Sequence, residues 1–92
     1  MRIFCDIDGT ICNTDGNDYR NSEPLYDQIE KINTFYSLEH EIIYWTSRGN
    51  TSGKDWYAFT ERQLKDWGCK FTELRMNKPS FDIFYDDKAM KL

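Results

Sequence analysis

The sequence predicts one small α/β domain, built as a doubly wound (Rossmann-like) parallel sheet of about four strands flanked by helices. Short apolar segments rich in β-branched and aromatic residues alternate along the chain with segments of helical periodicity. Each strand-helix unit takes about thirty residues, as a parallel crossover connection requires. With 92 residues there is room for one core, so we assign residues 1–92 to a single domain.

The first half of the chain predicts a strand, a polar loop and a helix. Residues 2–7 are apolar and stop at an Asp-Gly pair, which indicates a short strand followed by a turn. Residues 9–21 are rich in turn formers and predict a loop or small hairpin that folds over the strand end. Ser22 is a candidate N-cap, and apolar residues at helical spacing predict a helix over 23–38.

The second half repeats this alternation. Residues 42–45 predict a second strand, which ends in a polar, glycine-punctuated loop. A second helix is predicted over 57–67, with Gly68 ending it in the left-handed conformation. Residues 71–74 and 81–85 predict the third and fourth strands, and paired acids follow the last of them directly.

Composition excludes several classes of protein. The formal net charge of −4 disfavours a module that binds nucleic acid through a basic surface, so nucleic acid stays open only as a substrate. No apolar run approaches the ~20 residues of a membrane span, and an acid stands early in the N-terminal segment, so we expect a cytoplasmic protein with no membrane partner. Three cysteines without a C-x-x-C pair indicate neither a disulfide framework nor a zinc site.

Polar residues cluster at the ends of the predicted strands. In a parallel sheet these ends meet at one edge, where ligands bind. The residues brought there, with a lysine from the loop before the last strand, are Asp6, Asp8, Thr46, Ser47, Arg48, Lys78, Asp86 and Asp87. Four carboxylates at one edge repel one another unless a cation joins them, and Mg²⁺ prefers such oxygen ligands. We therefore expect a magnesium site.

The same residues suit phosphoryl transfer. Asp6 and Asp8 would lie on one side of a regular strand, where one carboxylate can form an aspartyl-phosphate and the other can protonate the leaving oxygen. Lys78 supplies positive charge and Thr46 a hydroxyl donor. Arg48 can reach a phosphate or a carboxylate bidentately. Ser47, Gly9 and Thr10 complete the expected substrate contacts through nearby N–H and hydroxyl groups.

These residues resemble the four motifs of the haloacid dehalogenase-like (HAD) phosphohydrolases. The segment Asp6-Ile7-Asp8-Gly9-Thr10 after an apolar strand looks like the first motif, D-x-D-G-T. Residues 42–46, an apolar strand ending in Thr, resemble the second motif, and Lys78 resembles the third. Residues 84–87, an apolar strand ending in two acids, resemble the fourth. The four motifs come in the family's order and span almost the whole chain.

The resemblance implies a role for each residue. Asp6 would be the nucleophile, Asp8 the general acid and then base, Thr46 a hydrogen-bond donor to phosphate, and Lys78 the charge partner of Asp6 and phosphate. Asp6, the backbone carbonyl of Asp8, and Asp86 would hold Mg²⁺, with Asp87 in a supporting position. An acid at the position of Asp8 is typical of the phosphatases of the family.

The gaps between the motifs are too short for the cap domain that many relatives insert. The chain is therefore similar to the capless branch, which includes sugar-phosphate phosphatases of surface-polysaccharide biosynthesis and the phosphatase domain of polynucleotide kinases. The resemblance implies a Mg²⁺-dependent phosphomonoesterase acting on a sugar phosphate or another small phospho-metabolite. Whether the loop over 9–21 acts as a lid, and whether a second copy of the chain covers the site, stays open.

Three alternatives accompany this hypothesis. One is a nucleic-acid 3′-phosphatase of the polynucleotide kinase phosphatase type. Another is a non-catalytic phospho-acceptor like a response-regulator receiver, although receivers place the paired acids on the first strand and this chain places them last. The third is an inactive family member that serves as an interaction module, against which the chemically intact motifs argue.

Overall fold

The computed structural model describes residues 1–79. In that range the chain forms a three-stranded sheet, a separate two-stranded pair, two α-helices and a 3₁₀ helix at Tyr19–Asn21. In chain order the strands and α-helices are β1 (Arg2–Cys5), β2 (Cys12–Asn13), β3 (Glu23–Pro24), α1 (Tyr26–Ser37), β4 (Glu41–Trp45), α2 (Tyr57–Asp66) and β5 (Glu73–Arg75). None of these helices is long and apolar enough to cross a membrane.

The main sheet is parallel and has the order β1-β4-β5. Cys5 lies opposite Tyr44, and Tyr44 lies opposite Leu74, so the carboxyl ends of all three strands share one edge. The prediction of an α/β chain with a parallel sheet and flanking helices is confirmed. Between these elements residues 1–79 contain no further folded unit that could serve as a cap.

Both helices contribute to one hydrophobic core on one face of this sheet. Ile29 and Ile32 of α1 and Leu64 of α2 pack in the same buried cluster as Tyr44 and Leu74 of the strands. Two right-handed crossovers that advance in the same direction place their helices on the same face, which agrees with this cluster. The predicted fourth strand over 81–85 lies outside the described residues, and the doubly wound arrangement therefore stays a prediction.

The predicted start of the first helix is wrong by about one turn. Ser22 does not cap it: the Ser22 hydroxyl lies 2.6 Å from the Thr14 hydroxyl, and the segment Glu23–Pro24 pairs antiparallel with β2. The helix begins at Tyr26 instead, after Leu25, which makes no side-chain cap hydrogen bond. A pairing with a segment distant in sequence thus replaces the local capping arrangement that the sequence favoured.

The other boundaries differ by a few residues. β1 ends at Cys5, two residues before the predicted end, because the Ile7 carbonyl already accepts turn hydrogen bonds from the N–H groups of Thr10 and Ile11 at 3.1 and 3.0 Å. β5 begins at Glu73 rather than at residue 71. The end of α2 follows the prediction, with Gly68 at φ 76°.

Candidate functional site

The chain leaves β1 at Asp6, so this carboxylate stands at the carboxyl edge of the sheet. The Nζ atom of Lys78 lies 3.5 Å from Asp6 Oδ1, and 42% of the Asp6 side chain remains exposed. Oδ1 also accepts a hydrogen bond from the N–H of Ile7 at 2.9 Å. Asp6 is thus an accessible carboxylate beside a positive charge.

The position of Lys78 is set by its backbone. Its N–H donates to the Thr46 carbonyl at 3.0 Å, and its carbonyl accepts from Asn50 Nδ2 at 2.7 Å. The preceding residue, Asn77, adopts φ 62°, a left-handed conformation that asparagine tolerates better than most residues. These contacts hold the lysine beside the end of β4 and bring it to Asp6, as its place in the predicted cluster required.

Asp8 has different surroundings from Asp6. Arg48 Nε donates to Asp8 Oδ2 at 3.0 Å and Arg48 Nη2 donates to Oδ1 at 2.8 Å, which is a bidentate ion pair. The Thr14 hydroxyl also donates to Oδ1, at 2.5 Å. The Asp8 side chain keeps 28% exposure, whereas that of Arg48 has none.

These contacts determine the charge of Asp8. Burial raises the pKa of its carboxyl, but the hydrogen bonds from Arg48 and Thr14, together with the charge of Arg48, outweigh burial and leave the pKa below its ordinary value of 3.8. Burial raises the pKa of the neighbouring Cys12 thiol and of the Tyr19 hydroxyl, so both groups stay neutral at pH 7. Asp8 is therefore a carboxylate at neutral pH.

Of the two bidentate partners that the sequence allowed for Arg48, a phosphate and a carboxylate, the structure shows the carboxylate of Asp8. Arg48 Nη1 donates to Gln63 Oε1 at 2.7 Å and to Thr60 Oγ1 at 3.2 Å, both on α2. The guanidinium carbon lies 4.7 Å from the centroid of the Tyr19 ring, a cation–π contact. With its side chain wholly buried and four of its N–H groups engaged, Arg48 is not open to a substrate, so the substrate-binding assignment is corrected.

Thr46 and Ser47 follow β4 at the same edge. Thr46 is buried, and its hydroxyl oxygen accepts a hydrogen bond from the N–H of Arg48 at 3.1 Å, which leaves its own hydrogen free to rotate toward another acceptor. Ser47 is exposed. Both residues therefore lie where the prediction placed them, at the end of the central strand.

The N–H groups of Gly9 and Thr10 are engaged within the turn. Gly9 donates to the Cys12 carbonyl at 2.8 Å and Thr10 donates to the Ile7 carbonyl at 3.1 Å. Substrate contacts through these two N–H groups are therefore not available in this conformation. Gly9 instead serves the backbone, because its φ of 83° lies in the region that glycine adopts most readily.

Residues 12–24, which we call the flap, fold over the arginine. The Tyr19 ring meets the Trp56 ring edge to face with centroids 5.0 Å apart, and the Tyr19 carbonyl accepts from Gln63 Nε2 at 2.8 Å. Arg20 lies 5.6 Å from the Trp56 ring centroid. The loop predicted over 9–21 is therefore ordered by contacts with α2 and with the loop before it.

Four residues of the site were not predicted from the sequence. Thr60 fits the inner face of α2 and was indistinguishable from a packing residue, while Thr14, Tyr19 and Gln63 carry no motif. What unites them is contact with Asp8 or Arg48, and no local pattern reports such a contact. A buried threonine at an otherwise apolar position of a helix was the only available signal.

A cavity of about 180 Å³ opens between the flap and the loop that follows Arg48. Amide, hydroxyl and aromatic groups and one lysine line it, from residues Asn17, Tyr19, Gly49, Thr51, Ser52, Lys54 and Trp56. The lining suits a small polar group rather than an apolar one.

The described residues supply part of a metal site. Residues 1–79 contain no group of three or more His, Cys, Asp or Glu side chains that could hold a metal ion. Asp6 offers an exposed carboxylate, whereas both oxygens of Asp8 already accept from Arg48, so the backbone carbonyl of Asp8 is its more available ligand. Asp86 and Asp87 lie outside the described residues. Mg²⁺ binds through one or two carboxylates together with waters and phosphate oxygens, and Asp6 fits that requirement.

The chain resembles a protein of known structure. A crystal structure of a structural-genomics target from Vibrio cholerae matches it with a TM-score of 0.82 and 28% sequence identity. The match covers 98% of this chain and 82% of that one. No family model matches the chain, and no curated protein matches it significantly. The similarity supports the compact α/β architecture described above.

Proposed function

We propose that the protein is a Mg²⁺-dependent phosphomonoesterase with a capless HAD-type fold, which reacts through an aspartyl-phosphate at Asp6. The observation that carries the proposal is the different environment of two neighbouring acids. Asp6 is accessible and its Oδ1 lies 3.5 Å from the Lys78 ammonium, while Asp8 is paired with the buried Arg48 guanidinium. Pairs of titratable groups with contrasting environments are typical of acid–base and nucleophilic sites. The proposal includes a fourth strand over 81–85.

Two displacements at phosphorus make up the reaction. In the first, an Asp6 oxygen forms a bond to phosphorus and the bond from phosphorus to the substrate oxygen breaks. Asp8, which is ionised in the free protein, must first take a proton from solvent and then gives it to that oxygen. In the second, Asp8 takes a proton from water, whose oxygen attacks phosphorus and releases inorganic phosphate from Asp6. Lys78 offsets negative charge on the phosphoryl oxygens, and the Thr46 hydroxyl can donate to one of them.

Mg²⁺ would be held by Asp6, the backbone carbonyl of Asp8, and Asp86, with Asp87 in support. When bound, it would neutralise charge on the carboxylates and on the phosphoryl group. The formal net charge of −4 favours a sugar phosphate or another small phospho-metabolite as substrate. A long polyanion would meet little attraction from so acidic a chain.

Phosphate release from 4-nitrophenyl phosphate tests the proposal. We expect release that requires Mg²⁺, stops on chelation, and falls by at least about 10³-fold in Asp6→Asn, since the loss of a nucleophile removes the covalent route. Asp66→Asn is the matched control, because Asp66 is an exposed acid at the end of α2. Equal turnover by Asp6→Asn and wild type would exclude the assignment.

The substrate class requires a separate experiment. A panel of phosphorylated sugars and metabolites would be compared with a 3′-phosphorylated oligonucleotide at equal concentration. We expect the highest kcat/KM within the metabolite set. Preference for the oligonucleotide would show instead that the protein is a nucleic-acid 3′-phosphatase.

A further inference from the structure

Arg48 directs most of its hydrogen bonds to other side chains of the protein, and two of them to Asp8. An arginine carries five N–H donors, and four of those of Arg48 are engaged. Nε and Nη2 reach the two oxygens of Asp8, while Nη1 reaches both Thr60 and Gln63. The side chain has no exposed surface. A phosphate could approach it only if these contacts were broken.

The two oxygens of Asp8 are left unequal by this arrangement. Oδ1 accepts from Arg48 Nη2 and from the Thr14 hydroxyl, and the Cys12 thiol lies 3.6 Å away. Within residues 1–79, Oδ2 accepts one hydrogen bond, from Arg48 Nε. A carboxylate oxygen has two lone-pair positions, so Oδ2 keeps one for a proton. The contacts of Arg48 and Thr14 with Asp8, which we call the clamp, thereby select which Asp8 oxygen can exchange a proton with a substrate or water.

Three residues fix the guanidinium itself. Thr60 and Gln63 hold it from α2, and the Tyr19 ring of the flap covers it. Gln63 also donates from Nε2 to the Tyr19 carbonyl at 2.8 Å, so one glutamine joins the flap to the arginine. A fixed planar fork that is shielded from water holds a carboxylate more rigidly than a solvated lysine can.

On the basis of the proposed function, we propose that Arg48 is a positioning residue: it holds Asp8 so that Oδ2 transfers the proton in both displacements, and it does not bind the substrate. The flap and α2 then influence the proton transfer by Asp8 through one side chain, that of Arg48. Loss of the clamp lets the carboxylate rotate, and a misplacement of about 1 Å can cost about 10²-fold in rate.

A double-mutant cycle separates positioning from substrate binding. Arg48→Lys keeps the charge but loses the bidentate fork, and we expect kcat for 4-nitrophenyl phosphate to fall about 10²-fold with little change in KM. In the Asp8→Asn background the same substitution should change kcat by less than about twofold, because no proton transfer remains to be positioned. Arg62→Lys, an exposed position of α2, is the matched control.

Two results would overturn the positioning role and indicate a direct substrate contact. One is a loss of kcat from Arg48→Lys that persists in the Asp8→Asn background. The other is a loss of kcat/KM that a rise in KM accounts for. Absence of phosphate release by the wild type would refute the proposed function instead, so the two failures are distinguishable. If circular dichroism shows that Arg48→Lys does not fold, Thr60→Val serves in its place. It removes one hydrogen bond to Nη1 at nearly constant volume, and its smaller loss of kcat must likewise disappear with Asp8→Asn.

Discussion

The ion pair between Asp8 and Arg48 predicts a large loss of stability in Asp8→Asn at neutral pH. Both carboxylate oxygens accept from Arg48, one from Nε and one from Nη2. An asparagine in either orientation must therefore point its NH₂ group at an arginine N–H. The substitution removes the counter-charge and also leaves an arginine donor facing another donor in a buried site.

The magnitude follows from burial. Removing one partner of a buried pair costs about 3–5 kcal/mol, because the remaining charge stays buried without compensation. The Arg48 side chain has 0% exposure and that of Asp8 has 28%, so we expect the lower end, about 3 kcal/mol. For a domain of this size each 1 kcal/mol shifts the melting temperature by about 4–8 °C, which predicts a decrease of roughly 12–24 °C.

Urea unfolding followed by circular dichroism, repeated from pH 7 to pH 3, measures this difference. The pKa of Asp8 in the folded protein lies below 3.8, so its contribution is present above that value and is lost as the pH falls through the folded pKa. The gap between wild type and Asp8→Asn should therefore narrow at acid pH, while Asp66→Asn stays within about 0.5 kcal/mol of wild type throughout. A gap below about 1 kcal/mol at pH 7, or one that does not change with pH, would contradict the ion-pair interpretation.

Three further predictions concern the surroundings of the site. Gly53→Ala should lower the free energy of unfolding in urea by about 1–2 kcal/mol, because Gly53 has a positive φ of 73°. Gly49→Ala, at φ 86°, should lower it by about 1–3 kcal/mol more, because its Cβ would collide with a backbone carbonyl oxygen of the same loop. Equal losses in the two variants would disprove this close approach. Lys78→Met should lower kcat about 10²–10³-fold. It should change the free energy of unfolding by less than about 1 kcal/mol, because its partner carboxylate, Asp6, is 42% exposed. A large change in the free energy of unfolding with normal kcat would show instead that Lys78 has a structural role. Gln63→Glu should keep an acceptor for Arg48 but repel the Tyr19 carbonyl. Amide hydrogen exchange should therefore become faster in the 3₁₀ helix of the flap and not in the main sheet. Unchanged exchange rates would show that Gln63 does not anchor the flap.

Local periodicity was sufficient to predict the main elements but not their edges. Ile29 and Ile32 recur at helical spacing and are buried in α1, and β4 coincides with its apolar run. Residues 22–24 show the opposite case. Ser, Glu and Pro form a good helix start when read alone, yet this segment pairs with β2, a contact that depends on how the flap folds rather than on its own sequence. Helix capping worth about 1 kcal/mol is easily outweighed by such a pairing.

The site shows the same limit in chemical terms. The sequence identified Arg48 as a residue that binds an anion bidentately, and the structure provides that anion within the chain, as the carboxylate of Asp8 forty residues away. Asp6 and Asp8 were expected to act from one side of a strand, but β1 ends at Cys5 and each acid takes a different partner. The residue types at a strand end predict which chemistry is available. Which acid keeps its access to solvent, and which is held in an ion pair, is decided by tertiary contacts that neither acid's neighbours in sequence supply.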